Sequence, residues 1–267
     1  MIPYRTFQLS LLCTLITPMI YAQDTVAIES KVLLADRGKP TPSGYHTITN
    51  KPFPPASLLI PAICIAYGFT SLNNRTLKQL NKEIKDEIYM EDPHNTIGID
   101  NYLQFAPAAI LYGLNAAGTR GKHNFIESSI IYGMSNIILS GTVSSLKNIT
   151  AVERPNGSAR SSFPSGHTAE AFASAEFLRQ EYKDLSPWYG VAGYAMAVTT
   201  GYLRMYNNKH WLGDIVAGAG IGIASTKISY WIYPKIQQKL FKNRTANTIV
   251  MPTYQRRGFG ISMIRKF

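Results

Sequence analysis

The sequence predicts an all-α protein, a bundle of helices embedded in a membrane. Several segments of about 16 to 20 residues are almost free of charge, a length that suits a helix crossing a bilayer. Only 16% of the residues are charged, whereas 45% are hydrophobic. The mean hydropathy of -0.06 is low for a protein made mostly of spanning helices, so a soluble helical bundle is the alternative.

The predicted helices differ in how their apolar residues are arranged. Mixed charges surround four apolar residues at helical spacing between positions 75 and 90 (Leu77, Leu80, Ile84 and Ile88), which predicts an amphipathic helix. The other helices are apolar and rich in alanine, glycine and serine, residues that let helices approach closely. Their predicted ranges are 56–72, 102–118, 125–146, 168–182, 188–203 and 211–233.

The chain before the predicted helical domain of residues 55–233 has two parts. Residues 1–22 have a basic start, a short apolar run and a small residue at the end, a pattern that predicts a signal peptide cut after Ala22; an uncleaved anchor is the alternative. Residues 23–54 are rich in proline and glycine and predict an irregular leader. Cleavage would leave Cys64 as the only cysteine, so no intrachain disulfide is expected.

The segment after the helical domain, residues 234–267, is a basic tail. The net charge of the chain is +11, and residues 233–267 carry eight Lys or Arg and no Asp or Glu. Such a surface attracts anionic lipid head groups or phosphorylated substrates. An exported chain with no recognised nucleic-acid-binding module is not expected to bind nucleic acid. Stretches with β-branched residues at 248–250 and 261–264 predict a short hairpin.

Three polar clusters interrupt the apolar pattern, each at the end of a predicted helix. Any one of them is an ordinary helix end. Together they supply three cations, two imidazoles and a carboxylate beside helices with few other charges, which predicts one shared site. The clusters are Lys147 with Arg154; Ser165, Gly166 and His167; and Arg204, His210 and Asp214.

The clusters suit the transfer of a phosphoryl group. Such a group spreads negative charge over three oxygens and needs fixed cations and backbone N–H donors around it. The cations are Lys147, Arg154 and Arg204. Ser165 and Gly166 lie at the start of a helix, whose unpaired N–H groups bind anions.

The two histidines divide the chemistry between attack and protonation. His210 and Asp214 are four residues apart on the start of the last helix, so the carboxylate can hold one ring nitrogen and leave the other as a nucleophile. His167, with an ordinary pKa of about 6.5, can protonate the leaving oxygen. The same His and Asp types could bind zinc or iron. Because three cations nearby would repel a metal ion, neither a metal nor another cofactor is expected.

In order and internal spacing, the clusters resemble the three signature motifs of the type 2 phosphatidic acid phosphatase family. The resemblance covers residues 147–214 directly. It implies an all-α core of about six helices and a phosphohistidine intermediate at His210. It also implies phosphate binding by Lys147, Arg154, Ser165, Gly166, His167 and Arg204. The matching motifs are Lys147-x6-Arg154-Pro155, Pro164-Ser165-Gly166-His167 and Arg204-x5-His210-x3-Asp214.

Two features depart from the family pattern. The third motif usually has a serine before its arginine, and here that position is Leu203, with Thr200 as the nearest substitute. In addition, only eight residues separate Pro155 from Pro164, which leaves little room for a lid over the site. We therefore expect an open side through which a bulky lipid head group could enter.

The resemblance implies a hydrolase, and the leading hypothesis is a phosphatase of a lipid phosphomonoester such as lipid A, phosphatidate or a polyprenyl phosphate. It would be a multi-pass protein of the bacterial inner membrane with its site facing the periplasm. A soluble periplasmic acid phosphatase of broad specificity is the alternative. Three crossings after an exported N-terminus, at 56–72, 102–118 and 125–146, would leave Lys147 in the cytoplasm unless the first segment, interrupted by Pro61, does not cross. A vanadate haloperoxidase is not expected at this length.

Overall fold

A bundle of α-helices followed by a β-hairpin forms the described part of the chain. The computed structural model describes residues 54–91, 94–241, 248–255 and 258–265. The predicted signal peptide and nearly all of the predicted leader lie outside these residues. The all-α class predicted for the helical domain is confirmed.

The predicted helices are confirmed with shifted ends, and 102–118 divides into a single turn and a longer helix. A 3-10 turn, Pro55–Leu58, precedes the first helix, and a π-helical turn, Asp86–Met90, follows the second. The predicted hairpin is also present, with β1 (Thr248–Gln255) antiparallel to β2 (Gly258–Arg265). The helices are α1 (Leu59–Asn73), α2 (Arg75–Lys85), α3 (Asp100–Leu103), α4 (Ala106–Ala116), α5 (Phe125–Thr150), α6 (Gly166–Tyr182), α7 (Trp188–Tyr206) and α8 (Leu212–Phe241).

Polar caps fix where the longer helices begin and end. Asn124 accepts a hydrogen bond from the backbone of Glu127, whose side chain accepts one from the backbone of Asn124, and this capping box starts α5. Ala151 ends α5 with a left-handed φ of 45°. The Ser165 side chain caps α6. At the end of the bundle where the polar clusters lie, Ala151 and Ser165 therefore determine where α5 ends and where α6 begins.

Helix α6 lies at the centre of the bundle and packs against α5, α7 and α8. Its buried face includes Phe177, which packs with Leu111 and Tyr182 in one core cluster. Small residues bring α8 close to α6: a Cβ added at Gly222 would lie 2.1 Å from the carbonyl oxygen of Ala169. The resulting contact between the two helices fixes the distance between their first turns, where polar residues of the second and third clusters lie.

This close approach gives a testable stability effect. We expect Gly222→Ala to lower the free energy of unfolding by about 1–3 kcal/mol, because backbone atoms of α6 cannot move away as a flexible side chain would. Gly133→Ala is the matched control, since among the described residues nothing lies within 4 Å of an added Cβ there. It should leave stability unchanged or raise it by up to about 1 kcal/mol. Equal melting temperatures for the two variants would contradict this packing.

Successive long helices run in opposite directions. Phe69, near the end of α1, packs on Phe163 beside the start of α6, with ring centroids 5.1 Å apart. At the other end of the bundle, Lys227 donates to the carbonyl of Ser57 at 2.9 Å. The chain reaches the start of α6 after running up α1, back along α4 and up α5. Ser57 therefore lies at the end of the bundle opposite the polar clusters.

Two described helices are long and apolar enough to cross a membrane, Pro55–Asn73 and Leu212–Gln238. The first is the predicted span at 56–72. The predicted spans at 102–118 and 125–146 do not meet the same test, and α4 has only 11 residues, about 16 Å of helix against a bilayer core of about 30 Å. The predicted interruption at Pro61 is wrong, because this proline lies in the first turn of α1, where it is compatible with a helix.

Candidate active site

The three polar clusters meet at one end of the bundle. Lys147 lies in the last turn of α5, Ser165 caps α6, and Arg204 lies in the last turn of α7. Asp214 lies in the first turn of α8. Four different helices therefore bring their polar ends together, as the spacing of the clusters predicted.

His210 lies just before α8 and is held by a buried carboxylate. Its Nδ1 is 3.4 Å from Oδ2 of Asp214, and both side chains are 2% exposed. The same carboxylate oxygen accepts hydrogen bonds from the Ser162 hydroxyl at 2.5 Å and from the Trp211 backbone N–H at 2.9 Å. The carboxylate is thus fixed by its neighbours and faces Nδ1, which leaves Nε2 as the nitrogen with a free lone pair when the ring is neutral.

The environment of His210 favours a neutral ring. Burial lowers the pKa of His210, and the charges of Arg204 and Lys147 lower it further, whereas Asp214 acts in the opposite direction. The net direction is downward because removing an imidazolium from water costs more than the carboxylate returns. A neutral histidine at physiological pH is what nucleophilic attack through Nε2 requires.

The predicted cations differ in how they are held. Lys147 donates to the carbonyl of Ser161 at 2.5 Å. The Nε atoms of Arg154 and Arg204 are both buried, and neither has a hydrogen-bond partner among the described residues. A buried guanidinium N–H without a partner is costly, so these two donors are available for an anion.

The loop that follows α5 positions Arg154. Its backbone N–H donates to Ala159, and its carbonyl accepts from Gly157, which has a left-handed φ of 70°. This turn brings Arg154 close enough to Arg204 that the two positive charges interact, and burial together with that charge lowers the pKa of Arg154. The Arg154 guanidinium nevertheless stays protonated near neutral pH.

The second cluster presents the N-terminus of α6. The Ser165 hydroxyl accepts hydrogen bonds from the backbone N–H of Thr168 at 3.4 Å and from Thr168 Oγ1 at 2.9 Å, and the first of these caps α6. Gly166 is the first residue of α6, and its backbone N–H belongs to the turn whose donors have no helical partner. A Cβ at Gly166 would meet Val143 at an ordinary 3.7 Å, so backbone donation is the property that the position offers to an anion.

His167 lies at the rim, half-buried, one residue into α6. Burial, followed by the charge of Arg204, lowers the pKa of His167 to about 4, although Asp100 acts in the opposite direction. The ordinary pKa of about 6.5 expected for His167 is therefore too high for this site. Electrostatic interactions with His210 and Arg154 also lower the pKa of His167, so residues of both other clusters lie near this ring.

Residues outside the motifs complete the site. Ser162 was missed, although it lies only three residues before Ser165. Asp100 forms an ion pair with Arg204 at 2.6 Å, and Asn101 hydrogen-bonds His167 at 2.9 Å. Sequence reasoning had no local signal for either contact, because the partners are separated by 104 and 66 positions along the chain.

Thr200 does not replace the missing serine. Its hydroxyl donates to the carbonyl of Met196 one turn earlier in α7, at 3.0 Å. Leu203 is buried and offers no hydrogen bond. Within the described residues, the side chain that holds Arg204 is Asp100.

A small cleft opens beside His210. Asn81 and Lys85 of α2 contribute to its wall, together with Trp211. Asn81 also accepts a hydrogen bond from the Gly213 backbone at 3.2 Å, which ties α2 to the start of α8. The amphipathic helix predicted at 75–90 therefore borders the candidate site.

The described residues contain no group of three or more His, Cys, Asp or Glu side chains arranged to hold a metal ion. His210 and Asp214 are a pair, and the other charged groups around them include Lys147, Arg154 and Arg204. That a reaction here proceeds without a metal stays a prediction.

Comparison with known proteins finds a superfamily model that covers the residues of this site. Residues 128–238 match the model of the PAP2 superfamily. The matched region contains all three motifs, and the resemblance predicted from them is confirmed.

Two curated relatives share the matched region. The chain is 38% identical over 135 residues to the lipid A 1-phosphatase of Porphyromonas gingivalis, covering 50% of this chain and 30% of that protein. It is 36% identical over 78 residues to the lipid A 4'-phosphatase of Bacteroides thetaiotaomicron, covering 29% of this chain and 34% of that protein. The chain therefore spans about a third of the length of each of these relatives.

Two solved structures are similar to the chain. The crystal structure of Aquifex aeolicus LpxE matches with a TM-score of 0.44 and 24% identity, covering 57% of this chain and 94% of that one. The crystal structure of a transmembrane PAP2-type phosphatidylglycerolphosphate phosphatase from Bacillus subtilis matches with a TM-score of 0.43 and 15% identity, covering 69% and 99%.

Proposed function

We propose that the protein is a phosphatase that hydrolyses a lipid phosphomonoester through a phosphohistidine on His210. The observation that carries the proposal is the pairing of Asp214 with a buried His210 whose lowered pKa favours the neutral ring. Beside this pair lie two guanidinium groups whose Nε donors have no partner among the described residues. This combination joins a nucleophile to a receptor for a tetrahedral anion. In this proposal, Lys147, Arg154 and Arg204 bind the phosphate with the backbone N–H groups at Ser165 and Gly166.

The first step transfers the phosphoryl group to the enzyme. The lone pair on His210 Nε2 attacks phosphorus while the bond from phosphorus to the alcohol oxygen breaks. His167 gives its proton to that oxygen, and the lipid leaves as an alcohol. Asp214 stabilises the positive charge that develops on the His210 ring.

The second step releases phosphate. His167, now neutral, accepts a proton from a water molecule whose oxygen attacks phosphorus. The bond from phosphorus to Nε2 breaks, its electron pair returns to His210, and inorganic phosphate leaves. A bound phosphate dianion raises the pKa of His167, since its negative charge stabilises the imidazolium that Arg204 otherwise disfavours.

The lipid nature of the substrate is supported by the surface of the bundle and by the names of the relatives. Ile126, Ile137 and Ile149 on α5 are each at least 70% exposed, and Leu59 and Ile63 on α1 are about 60% exposed. Large apolar side chains repeated along the outside of helices suit contact with acyl chains rather than water. Because both curated relatives are phosphatases of lipid A, we propose a phosphomonoester of the lipid A type as the first substrate to test.

The location proposed for this site is the periplasmic face of the inner membrane. The fold constrains that proposal, because Ser57 and the site lie at opposite ends of the bundle. If the bundle spans the membrane with a periplasmic site, residue 57 is on the cytoplasmic side, and a leader exported after cleavage at Ala22 is then incompatible. A soluble periplasmic acid phosphatase, the second candidate, is compatible with that cleavage and is favoured by this one observation.

Turnover of the purified protein tests the proposed chemistry. We expect phosphate release from a lipid phosphomonoester to survive EDTA, because protein cations supply the charge that a metal would otherwise provide. Micromolar vanadate should inhibit, since vanadate can adopt the trigonal bipyramid of the transition state opposite His210. Loss of activity on chelation, restored by zinc or magnesium, would overturn the proposed mechanism.

A further inference from the structure

Two adjacent residues, Asp100 and Asn101, reach the site from a part of the chain that the three clusters do not include. Oδ2 of Asp100 accepts from Nη1 of Arg204 at 2.6 Å, and the Asp100 side chain is only 1% exposed. The partner arginine is 9% exposed, and its Nε has no partner among the described residues. One edge of the guanidinium is therefore fixed while another donor stays free for an anion.

Asn101 makes a second contact with the site, to His167 of the second cluster. Its Oδ1 lies 2.9 Å from Nε2 of His167. When Nε2 donates to this oxygen, the neutral ring keeps its lone pair on Nδ1, so the contact selects both the orientation and the tautomer of the histidine. Unlike Asp100, Asn101 is exposed at the rim.

The backbone that carries the pair is itself fastened to the end of α7. The N–H of Ile97 donates to the Asn207 side chain at 2.8 Å, and the Asn207 amide donates back to the Ile97 carbonyl at 2.8 Å. His94 hydrogen-bonds the carbonyl of Tyr206 at 2.8 Å and stacks on its ring, with centroids 3.5 Å apart. The contacts of Asp100 and Asn101 thus start from a braced segment.

We propose that Asp100 and Asn101 are positioning residues of the active site, Asp100 for Arg204 on the phosphate side and Asn101 for His167 on the leaving-group side. The assignment deepens the proposed function and rests on it, because the proposed reaction defines the phosphate side and the leaving-group side of the site. Because the residues are adjacent, one short segment sets the relative placement of anion binder and proton donor. Catalysis depends on such placement to within about 1 Å.

Asp100 is tested by anion binding, with Asp100→Asn as the variant because it keeps size and an acceptor oxygen. If Asp100 only neutralised charge, its removal would leave the site more positive and vanadate would bind more tightly. A positioning role predicts the reverse: the inhibition or dissociation constant for vanadate rises on the order of 10-fold. Tighter or unchanged vanadate binding in a folded variant would overturn the assignment of Asp100.

Asn101 is tested by leaving-group dependence, with Gln79→Ala as a matched loss of an exposed amide that donates to Glu83 of the same helix. We expect Asn101→Ala to lower kcat for an alkyl phosphate on the order of 10-fold to 100-fold, with KM little changed. The kcat/KM for an aryl phosphate should stay almost normal, because it reports attack by His210 and this leaving group needs no proton. Equal losses for both substrates, or equal effects of the control variant, would contradict the role of Asn101.

A direct titration of His167 separates this inference from the proposed function. The charged or titratable groups that act on His167 are Arg204, Asp100, His210 and Arg154. Asn101→Asp adds a negative charge at hydrogen-bond distance, so the pKa of His167 measured by NMR in detergent should rise above the wild-type value. A rise in a protein without phosphatase activity would refute the proposed function and keep the positioning contact. An unchanged pKa of His167 in an active enzyme would refute the positioning contact and keep the proposed function.

Discussion

Replacing His210 by alanine is expected to lower turnover by a factor on the order of 10⁴ or more, because no other described side chain combines a neutral nucleophile with a fixed carboxylate at this site. His167→Ala should behave differently. It removes a proton donor and leaves the nucleophile in place, so aryl phosphates should still transfer their phosphoryl group to His210. Alkyl phosphates should not, because their departing oxygen is a poor leaving group without a proton. The measurement is kcat/KM for one aryl and one alkyl substrate in each variant.

A histidine far from the site provides the matched control. His123 lies at the opposite end of the bundle, where its ring contacts Glu181 at 2.7 Å. His123→Gln keeps a polar side chain there and should retain close to wild-type turnover with both substrates. In the His167 variant, equal losses with the aryl and the alkyl substrate would contradict the division of roles.

The second large effect concerns the acyl chain of the substrate. We expect a lipid phosphomonoester in mixed micelles to be hydrolysed with a kcat/KM at least about 100-fold above that of glycerol 3-phosphate. The reason is that each buried CH₂ contributes about 0.8 kcal/mol, so even a few retained methylene groups concentrate the phosphate beside Arg154 and His210. No additional polar contact is needed for this effect.

The same comparison separates the two candidate functions. A soluble acid phosphatase would hydrolyse glycerol 3-phosphate, nucleotides and lipid phosphates at similar kcat/KM, and it would stay in the supernatant after carbonate extraction of membranes. Comparable values for the chain-bearing and chain-free substrates would rule against the lipid phosphatase and leave the His210 chemistry intact. Removal of the basic residues that follow α8, from residue 242 onward, tests whether their charge adds attraction for anionic lipid.

The helices and the three clusters could be predicted from the sequence because their signals are local. An apolar run flanked by polar residues predicts a helix wherever its ends fall within a few positions, and the spacing from Arg204 through His210 to Asp214 spans only eleven residues. The hairpin was predicted in the same way from β-branched stretches. Helix ends were less accurate, since α5 continues through Lys147 to Thr150 and ends at a left-handed Ala151 that no sequence pattern required.

What could not be predicted depends on contacts between distant segments. The ion pair of Asp100 with Arg204 joins the residue that starts α3 to the end of α7, and nothing in the neighbourhood of Asp100 marks it as a site residue. The low pKa of His167 has the same origin, because His167 is buried and lies near the charge of Arg204 only once the helices have packed. The effect of Pro61 was predicted wrongly for a related reason, because it depends on where the helix begins.

The proposed mechanism requires a covalent phosphate on His210, and trapping this intermediate is its most direct test. His167→Ala is the variant to use, because it permits attack on an aryl phosphate and lacks the base for hydrolysis of the intermediate. After brief incubation with a ³²P-labelled aryl phosphate and an alkaline quench, the account predicts label that is stable to alkali, labile to acid and located by mass spectrometry on His210. The double variant with His210→Ala should carry none. Label on another residue, or phosphate release by this variant at wild-type rates with no label on His210, would contradict the account.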